Sequence, residues 1–440
     1  MLARRAYSAM LTWKNAPGKK KALLVTGARQ VGKTALIRAF GRAHYASFWD
    51  VDFVARPEAA LVFKKARDAE SIFQGLEVLT GVAPVPGKTL LFLDEIQECP
   101  EARTAVSAIV EDGRVDCVLS GSLLALRTQQ APGLTPSSRQ TLRLHPLDIA
   151  EFLLANGVGA DVLAHVRRAF LAEKPVRREI HEALSRFFRR YLVLGGMPGV
   201  VAAYLDNGDM GEAVALQRGI LALLRLEAGR YAKDGGELAR AFFDAVPCRL
   251  NAECPPPSDG ERRALVSLGD AGIILPCREV DAPRSPLRLR EKHDAIRPYL
   301  CDTGLLYALC RENMQAEILN GGTGGMRRLL ENAVAQNLAA AGFPLWRLNA
   351  PGSRADFLVR MDGGIVPVRL LPDEDGSPRA FQPEGGKAAA DVRHGGKAYV
   401  LGEGNLHREG DALHLPWYMV ALFTPDALRP MPEAEIPALS

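Results

Sequence analysis

Residues 22–34 read ALLVTGARQVGKT, and this stretch decides the fold. The apolar run Ala22 to Val25 has the composition of a buried strand. Gly27, four further residues and Gly32-Lys33-Thr34 follow, and ALIRAFG continues as a helix. Strand, glycine loop and helix N-terminus in that order are the setting in which such a loop cradles phosphate. Gly27 and Gly32 let the backbone turn tightly, so that consecutive N–H groups from Gly27 through Ala28, Arg29, Gln30, Val31 and Gly32 to Thr34 can point at phosphate oxygens. The helix start adds free donors and a favourable dipole. Lys33 would bring a point charge to the β- and γ-phosphates, and the Thr34 hydroxyl can ligate Mg2+. ATP and Mg2+ are the expected ligands.

A second strand, TLLFLDE (89–95), carries acids at its end. A continuous apolar run means burial on both faces, as in a parallel sheet covered by helices. Its C-terminal end then lies at the ligand edge of an open α/β sheet. Asp94 is expected to hold Mg2+, and Glu95 to orient or deprotonate the attacking water. A third strand, Val115 to Leu119, ends in Ser120-Gly121-Ser122, where Ser120 or Ser122 can sense the γ-phosphate. SFWDVDF (47–53) reads as a further strand with Asp50 and Asp52 near its end. Arg139, in a Ser-rich loop, has two readings: an arginine finger on a neighbouring subunit, or a solvated loop arginine.

The 440 residues suggest two or three domains, and 48% hydrophobic with 24% charged residues is ordinary globular composition. A net charge of +4 permits nucleic-acid contact without arguing for it. Seven scattered cysteines without a Cys-x-x-Cys pair fit neither a zinc site nor a disulfide framework, and point to a reducing cytoplasm. No apolar run reaches membrane-spanning length. The basic N-terminus, MLARRAYSAMLTWK, reads as an amphipathic helix with Leu2, Ala6, Met10 and Trp13 on one stripe, or alternatively as a transit-like segment.

Beyond Phe152 the pattern turns helical. EALSRFFRRYL sets Leu184, Phe187, Phe188, Tyr191 and Leu192 on one stripe and Arg186, Arg189 and Arg190 opposite, a face for solvent or for an acidic partner. Gly195-Gly196-Met197-Pro198-Gly199 breaks this helix and starts another. After a proline-rich break at 251–263, a helix, a strand and the basic ribbon PLRLREKHDAIRPYL look winged-helix-like, which serves DNA binding or rigid connection equally.

Taken together, GARQVGKT, LFLDEIQE, SGSLLAL, HPLDIAEFL, YLVLGGMPGVVAAYL, PYLCDTGLLYAL and LLENAVAQNLAAAG resemble a family of bacterial and archaeal AAA-type ATPases with a C-terminal domain of unknown function. The resemblance runs over nearly the whole chain. It implies an α/β architecture: a P-loop ATPase domain (1–155), a helical and winged-helix-like middle (156–310) and a restriction-endonuclease-like domain (311–440). The family's P-loop residues fall on Gly27, Gly32, Lys33 and Thr34, and its Walker B acids on Asp94 and Glu95.

The hairpin ADFLVRMDGGIVPVRLL (355–371) is where that last domain would carry a metal-dependent nuclease site. The family's helix and strand acids fall on Glu331 and Asp356. Where the family pattern has Pro, a hydrophobic residue, Glu, any residue and Lys, this chain has Pro367, Val368, Arg369, Leu370 and Leu371. A cation in place of a ligand carboxylate repels Mg2+ by roughly 4 kcal/mol at ~4 Å in an effective dielectric of ~20. Arg369 is expected to pair with Asp356 or Glu331 instead. Acids displaced to Asp373, Glu374 and Asp375 read as loop. The expectation is therefore an ATP-hydrolysing switch or motor acting on a partner such as DNA or another protein. The alternatives are an ATP-regulated nuclease using Glu331 and Asp356, and a nucleotide-dependent adaptor without catalysis in a defence or toxin–antitoxin setting.

Overall fold

The computed structural model describes residues 2–66, 68–121, 135, 137–231, 236–250, 254–310, 314–321, 326–350, 353–361, 363–371 and 398–425. Ser122 and the acids 373–375 lie outside the described residues. The chain divides into two compact units: Ala3–His145 with Asp270–Gly272, and Met1–Leu2 with Pro146–Gly269 and Ile273–Ser440.

The N-terminal unit is a parallel sheet of five strands, β1 (Ala22–Thr26), β2 (Ser47–Asp52), β3 (Thr89–Asp94), β4 (Asp116–Gly121) and β5 (Arg139–Arg143), in the order β2-β3-β4-β1-β5. Every residue of β1 and β3 is buried, as expected for central strands covered on both faces. One face packs Leu24, Trp49, Leu91 and Leu93 against Phe73, Leu76 and Val106 of the covering helices. Because all strands run the same way, the chain segments after β1 and β3 meet at one edge of the sheet. The insertion of β4 between them brings the end of a third strand to the same place.

Arg139 does not lie in a loop. It opens β5 opposite Ala22, the first residue of β1, so it stands at the sheet edge away from the glycine loop. The strand RQTLR is half-exposed along its whole length, and polar edge strands carry too weak an alternation to stand out in a sequence. The N-terminal segment forms the helix Arg5–Lys14, burying Tyr7, Met10 and Trp13, while Leu2 and Ala6 are only half-buried. Tyr7 stacks edge-on against Phe40, and its hydroxyl meets Nε2 of His44 at 2.8 Å.

The C-terminal unit contains a mixed sheet of eight strands: β6 (Ile274–Val280), β7 (Glu291–Leu300), β8 (Trp346–Ala350), β9 (Ser353–Met361), β10 (Gly364–Leu370), β11 (Ala398–Gly402), β12 (His407–Glu409) and β13 (Ala412–Pro416). Their order is β12-β13-β11-β10-β9-β8-β6-β7. The strand and ribbon read as winged thus supply β6 and β7 to the sheet that holds the β9–β10 hairpin. The sheet runs across the boundary drawn at residue 310.

What joins helices and sheet is the helix Arg327–Ala340, buried from Leu329 to Leu338. Several of its polar residues bond backbone groups of other segments. Asn332 bonds both the N–H and the C=O of Leu300 (2.7 and 3.1 Å), and Gln336 accepts from Thr303 N (2.8 Å). Asn337 accepts from Ile149 N, 188 residues earlier (2.8 Å). Each such bond satisfies a group that would otherwise be costly to bury.

Gly195 and Gly196 belong to the same network. Gly196 N–H donates to Asp302 Oδ2 (2.6 Å), and Gln336 and Leu305 N also donate to this carboxylate (3.1 and 3.0 Å). Gly195 has φ 68°, and a Cβ there would fall 2.1 Å from Asp302 Oδ1. Burial nevertheless outweighs these donors and pushes the Asp302 carboxyl up to about 6. The arginines of the helix Arg178–Leu194 are partly used internally as well. Arg189 pairs with Glu403 at 2.5 Å, and Arg190 lies over the rings of Phe187 and Tyr204. Among the described residues, no helix is long and apolar enough to cross a membrane.

Candidate functional site

The loop between β1 and the helix Lys33–His44 is held in a shape only certain residues allow. Gly27 has φ 153° and Gly32 φ 91°, and a Cβ on Gly27 would stand 2.2 Å from the Leu144 carbonyl oxygen. Gln30 also takes a positive φ, 63°, the left-handed conformation that tight loops impose. Lys33 opens the helix and is 9% exposed. Its ammonium donates to the carbonyls of Gly27 (3.0 Å) and Ala28 (2.9 Å), so the charge lies inside the ring of the loop.

Thr34 Oγ1 donates to Asp94 Oδ2 at 2.8 Å. The other oxygen, Oδ1, accepts from Ser120 Oγ and from Glu95 N (3.1 Å). The expected acid, hydroxyl and serine are therefore one contiguous cluster, built from the ends of β3 and β4 and the first turn of the helix. Glu95 leaves the strand in a left-handed conformation, φ 52°, and its carboxylate accepts from the Gln97 amide. Gln97 is 3% exposed and sits so close to Gly121 that a Cβ there would lie 2.6 Å from its Oε1.

Two residues of this site were missing from the sequence reading. Gln97 lies within the LDEIQE string but has no motif role assigned to it. Arg4 donates to Val31 O in the loop (2.9 Å) and to the His145 carbonyl, and nothing in the sequence links position 4 to position 31. Asp50 and Asp52 serve elsewhere. Asp50 pairs with Arg38 (2.7 Å), and Asp52 accepts from Val54 N and Ala55 N, both at 2.9 Å. The hydrogen bond to Asp50 holds the Arg38 guanidinium above its ordinary range.

Glu331 and Asp356 do come together in the C-terminal unit, but the cation between them is Arg327. Its Nε meets Glu331 Oε1 at 2.9 Å and its Nη2 meets Asp356 Oδ1 at 2.5 Å, while Nη1 donates to Leu370 O (2.5 Å). Arg297 holds the other Glu331 oxygen (3.1 Å), and Leu370 N donates to Asp356 Oδ2 (2.8 Å). Glu331 is 1% and Asp356 7% exposed. Burial disfavours the Arg327 charge, yet Asp356 and Glu331 together hold its guanidinium above the ordinary arginine value.

The family model described as an AAA domain matches residues 19–153. No curated protein matches the chain. Solved structures similar to it include the Orc1 protein of Aeropyrum pernix in complex with DNA, at 15% identity over 72% of this chain and 94% of that one, TM-score 0.25. AMPPCP-bound DnaA from Aquifex aeolicus is similar at 13% identity over 60% and 77%, TM-score 0.28. Cdc6p from Pyrobaculum aerophilum is similar at 13% identity over 72% and 92%, TM-score 0.24. Likenesses at this level carry no argument about what this chain acts on.

Proposed function

We propose that the AAA-type P-loop domain of residues 19–153 binds ATP with Mg2+ and hydrolyses it, driving a switch that acts on a partner. The observation that carries this reading is the cluster Lys33, Thr34, Asp94 and Ser120. It sets a buried ammonium in the loop beside a hydroxyl–carboxylate pair of hard oxygen donors, the ligand type that Mg2+ prefers. The residues fit both groups. The loop N–H groups from Gly27 to Thr34 and the Lys33 ammonium would hold the phosphates, and Thr34 and Asp94 would hold the metal. When bound, Mg2+ supplies charge stabilisation at the phosphoryl oxygens.

Glu95 would orient the attacking water and accept its proton as the bond from the water oxygen to the γ-phosphorus forms and the β,γ-bridging bond breaks. Ser120, bonded to Asp94, is the described serine suited to report on the γ-phosphate; the same role remains proposed for Ser122. The C-terminal unit we read as a restriction-endonuclease-like scaffold without cleavage activity, because Arg327 neutralises both acids at which a nuclease would bind its metal.

The deciding experiment is phosphate release from ATP by the full chain, alone and with single- or double-stranded DNA. Turnover that survives Lys33→Ala and Glu95→Ala together would overturn the reading. Stimulation by DNA would make DNA the partner, and its absence would point to a protein.

A further inference from the structure

At the far edge of the eight-stranded sheet, β12 and β13 form a hairpin whose outward face gathers two imidazoles and a carboxylate. His407 lies directly opposite His414 in the antiparallel register, and Glu409 follows His407 by two residues, on the same face. Leu413 and Leu415 alternate with His414 and are buried, so the histidine is turned away from the core. The two rings stack with centroids 4.5 Å apart and planes 16° from parallel. His414 Nε2 stands 3.4 Å from Glu409 Oε2, and one ligating atom from each of the three residues lies within 4.8 Å of the others.

We propose that His407, Glu409 and His414 bind a first-row transition-metal ion, with Zn2+ the best fit. Zn2+ takes imidazole and carboxylate ligands at about 2.0–2.2 Å, and tetrahedral geometry then sets ligand atoms about 3.3 Å apart. The His414–Glu409 separation already has that value. The fourth position would be open to water or to a small anion.

Two further features support a site over an accidental cluster. His407 Nδ1 meets the Asn405 carbonyl at 3.0 Å. That carbonyl can only accept, so Nδ1 carries the proton and Nε2 presents its lone pair, the arrangement typical of metal-bound histidines. The Asn405 side chain is itself fixed, bonding Val176 N (3.0 Å) and Val176 O (2.6 Å), so the strand entry is positioned before any ion arrives. Arg408, between the ligands in sequence, is directed to the opposite side, where it pairs with Glu173 (2.9 Å).

The test is calorimetric titration of the chelator-treated full chain with ZnCl2 in excess Mg2+, which occupies the hard-oxygen site at Thr34 and Asp94. Wild type should bind one more equivalent of Zn2+ than H407A/H414A, with micromolar or tighter affinity. E409Q, which keeps both imidazoles and the surface shape, should weaken that equivalent at least about tenfold. Replacing Zn2+ by Co2+ should give the visible absorption of a tetrahedral ion, absent in H414A. The comparison with the double variant separates this equivalent from any Zn2+ taken by cysteine thiols such as the exposed Cys248. Equal stoichiometry in wild type and double variant, or binding only at millimolar Zn2+, would overturn the proposal. In that case the rings and Glu409 form a surface stack with a pH-dependent ion pair.

Discussion

The Asp94 cluster and the Glu331–Asp356 cluster are made from the same parts. In each, a buried carboxylate bonds the first turn of a helix that opens on a basic residue, Lys33 in one and Arg327 in the other. They differ in how the charges are used. Lys33 donates to two loop carbonyls, and Asp94 accepts from two hydroxyls and a backbone amide. In the second cluster Arg327 bridges both acids, Arg297 closes the remaining side, and two carboxylates meet two guanidiniums in a sealed interior. The second cluster holds its charges in internal pairs, so two acids brought together do not by themselves make a site.

The largest effects should fall on the open cluster. Lys33→Ala should lower ATP turnover by about 10³-fold, the scale of losing a principal electrostatic contact to the transition state. Glu95→Gln should lower it by about 10²–10⁴-fold while leaving binding of a fluorescent ATP analogue intact, because only proton acceptance is removed. Phosphate release and fluorescence titration measure the two. The sealed cluster should respond in stability instead. Arg327→Met leaves two buried carboxylates short of a partner, which costs about 3–5 kcal/mol in a denaturant unfolding curve, with turnover unchanged within about twofold. Mn2+-dependent cutting of DNA or RNA by that variant would break the contrast, showing that the acids were only masked.

Asp302 offers a smaller test with a definite sign. Its folded carboxyl titrates at about 6, above the ordinary 3.8. Between those values the folded chain holds a proton that the unfolded chain has released. This group's contribution is therefore greatest below the lower value and is lost as pH rises through the upper one. Asp302→Asn, which turns an amide toward donor N–H groups, should cost about 1–3 kcal/mol at neutral pH. The gap to wild type should widen at pH 5, and paired unfolding curves at the two pH values check it. Smallest is Gln97→Ala. Freeing the Glu95 carboxylate from its amide partner should raise turnover, by up to about tenfold.

The nucleotide loop was legible because its chemistry is local. Eight consecutive residues fix the turn, the charge and the hydroxyl, and the apolar run before Asp94 marks a strand by composition alone. β5 was not legible, since RQTLR is polar on an exposed edge and gains its partner only from the register with Ala22. Arg327 was hidden for a different reason. One turn before Glu331, it looks like an exposed helix residue, while Arg369 on the hairpin draws the eye as the cation beside the two acids. Only the closing of β7, β9 and β10 around the helix turns position 327 inward. His407 and His414 likewise became neighbours through hairpin pairing, which spacing along the chain does not reveal.

The helix Arg327–Ala340 also sets a schedule for biogenesis. Ile149 N waits for Asn337, and the Gly196 turn waits for Asp302. At about 5–20 residues per second, a ribosome needs roughly 10–40 s to make the intervening stretch. During that interval the helices between carry apolar faces with no sheet to cover them. A chain ending before Asn337 would leave Ile149 N without this partner.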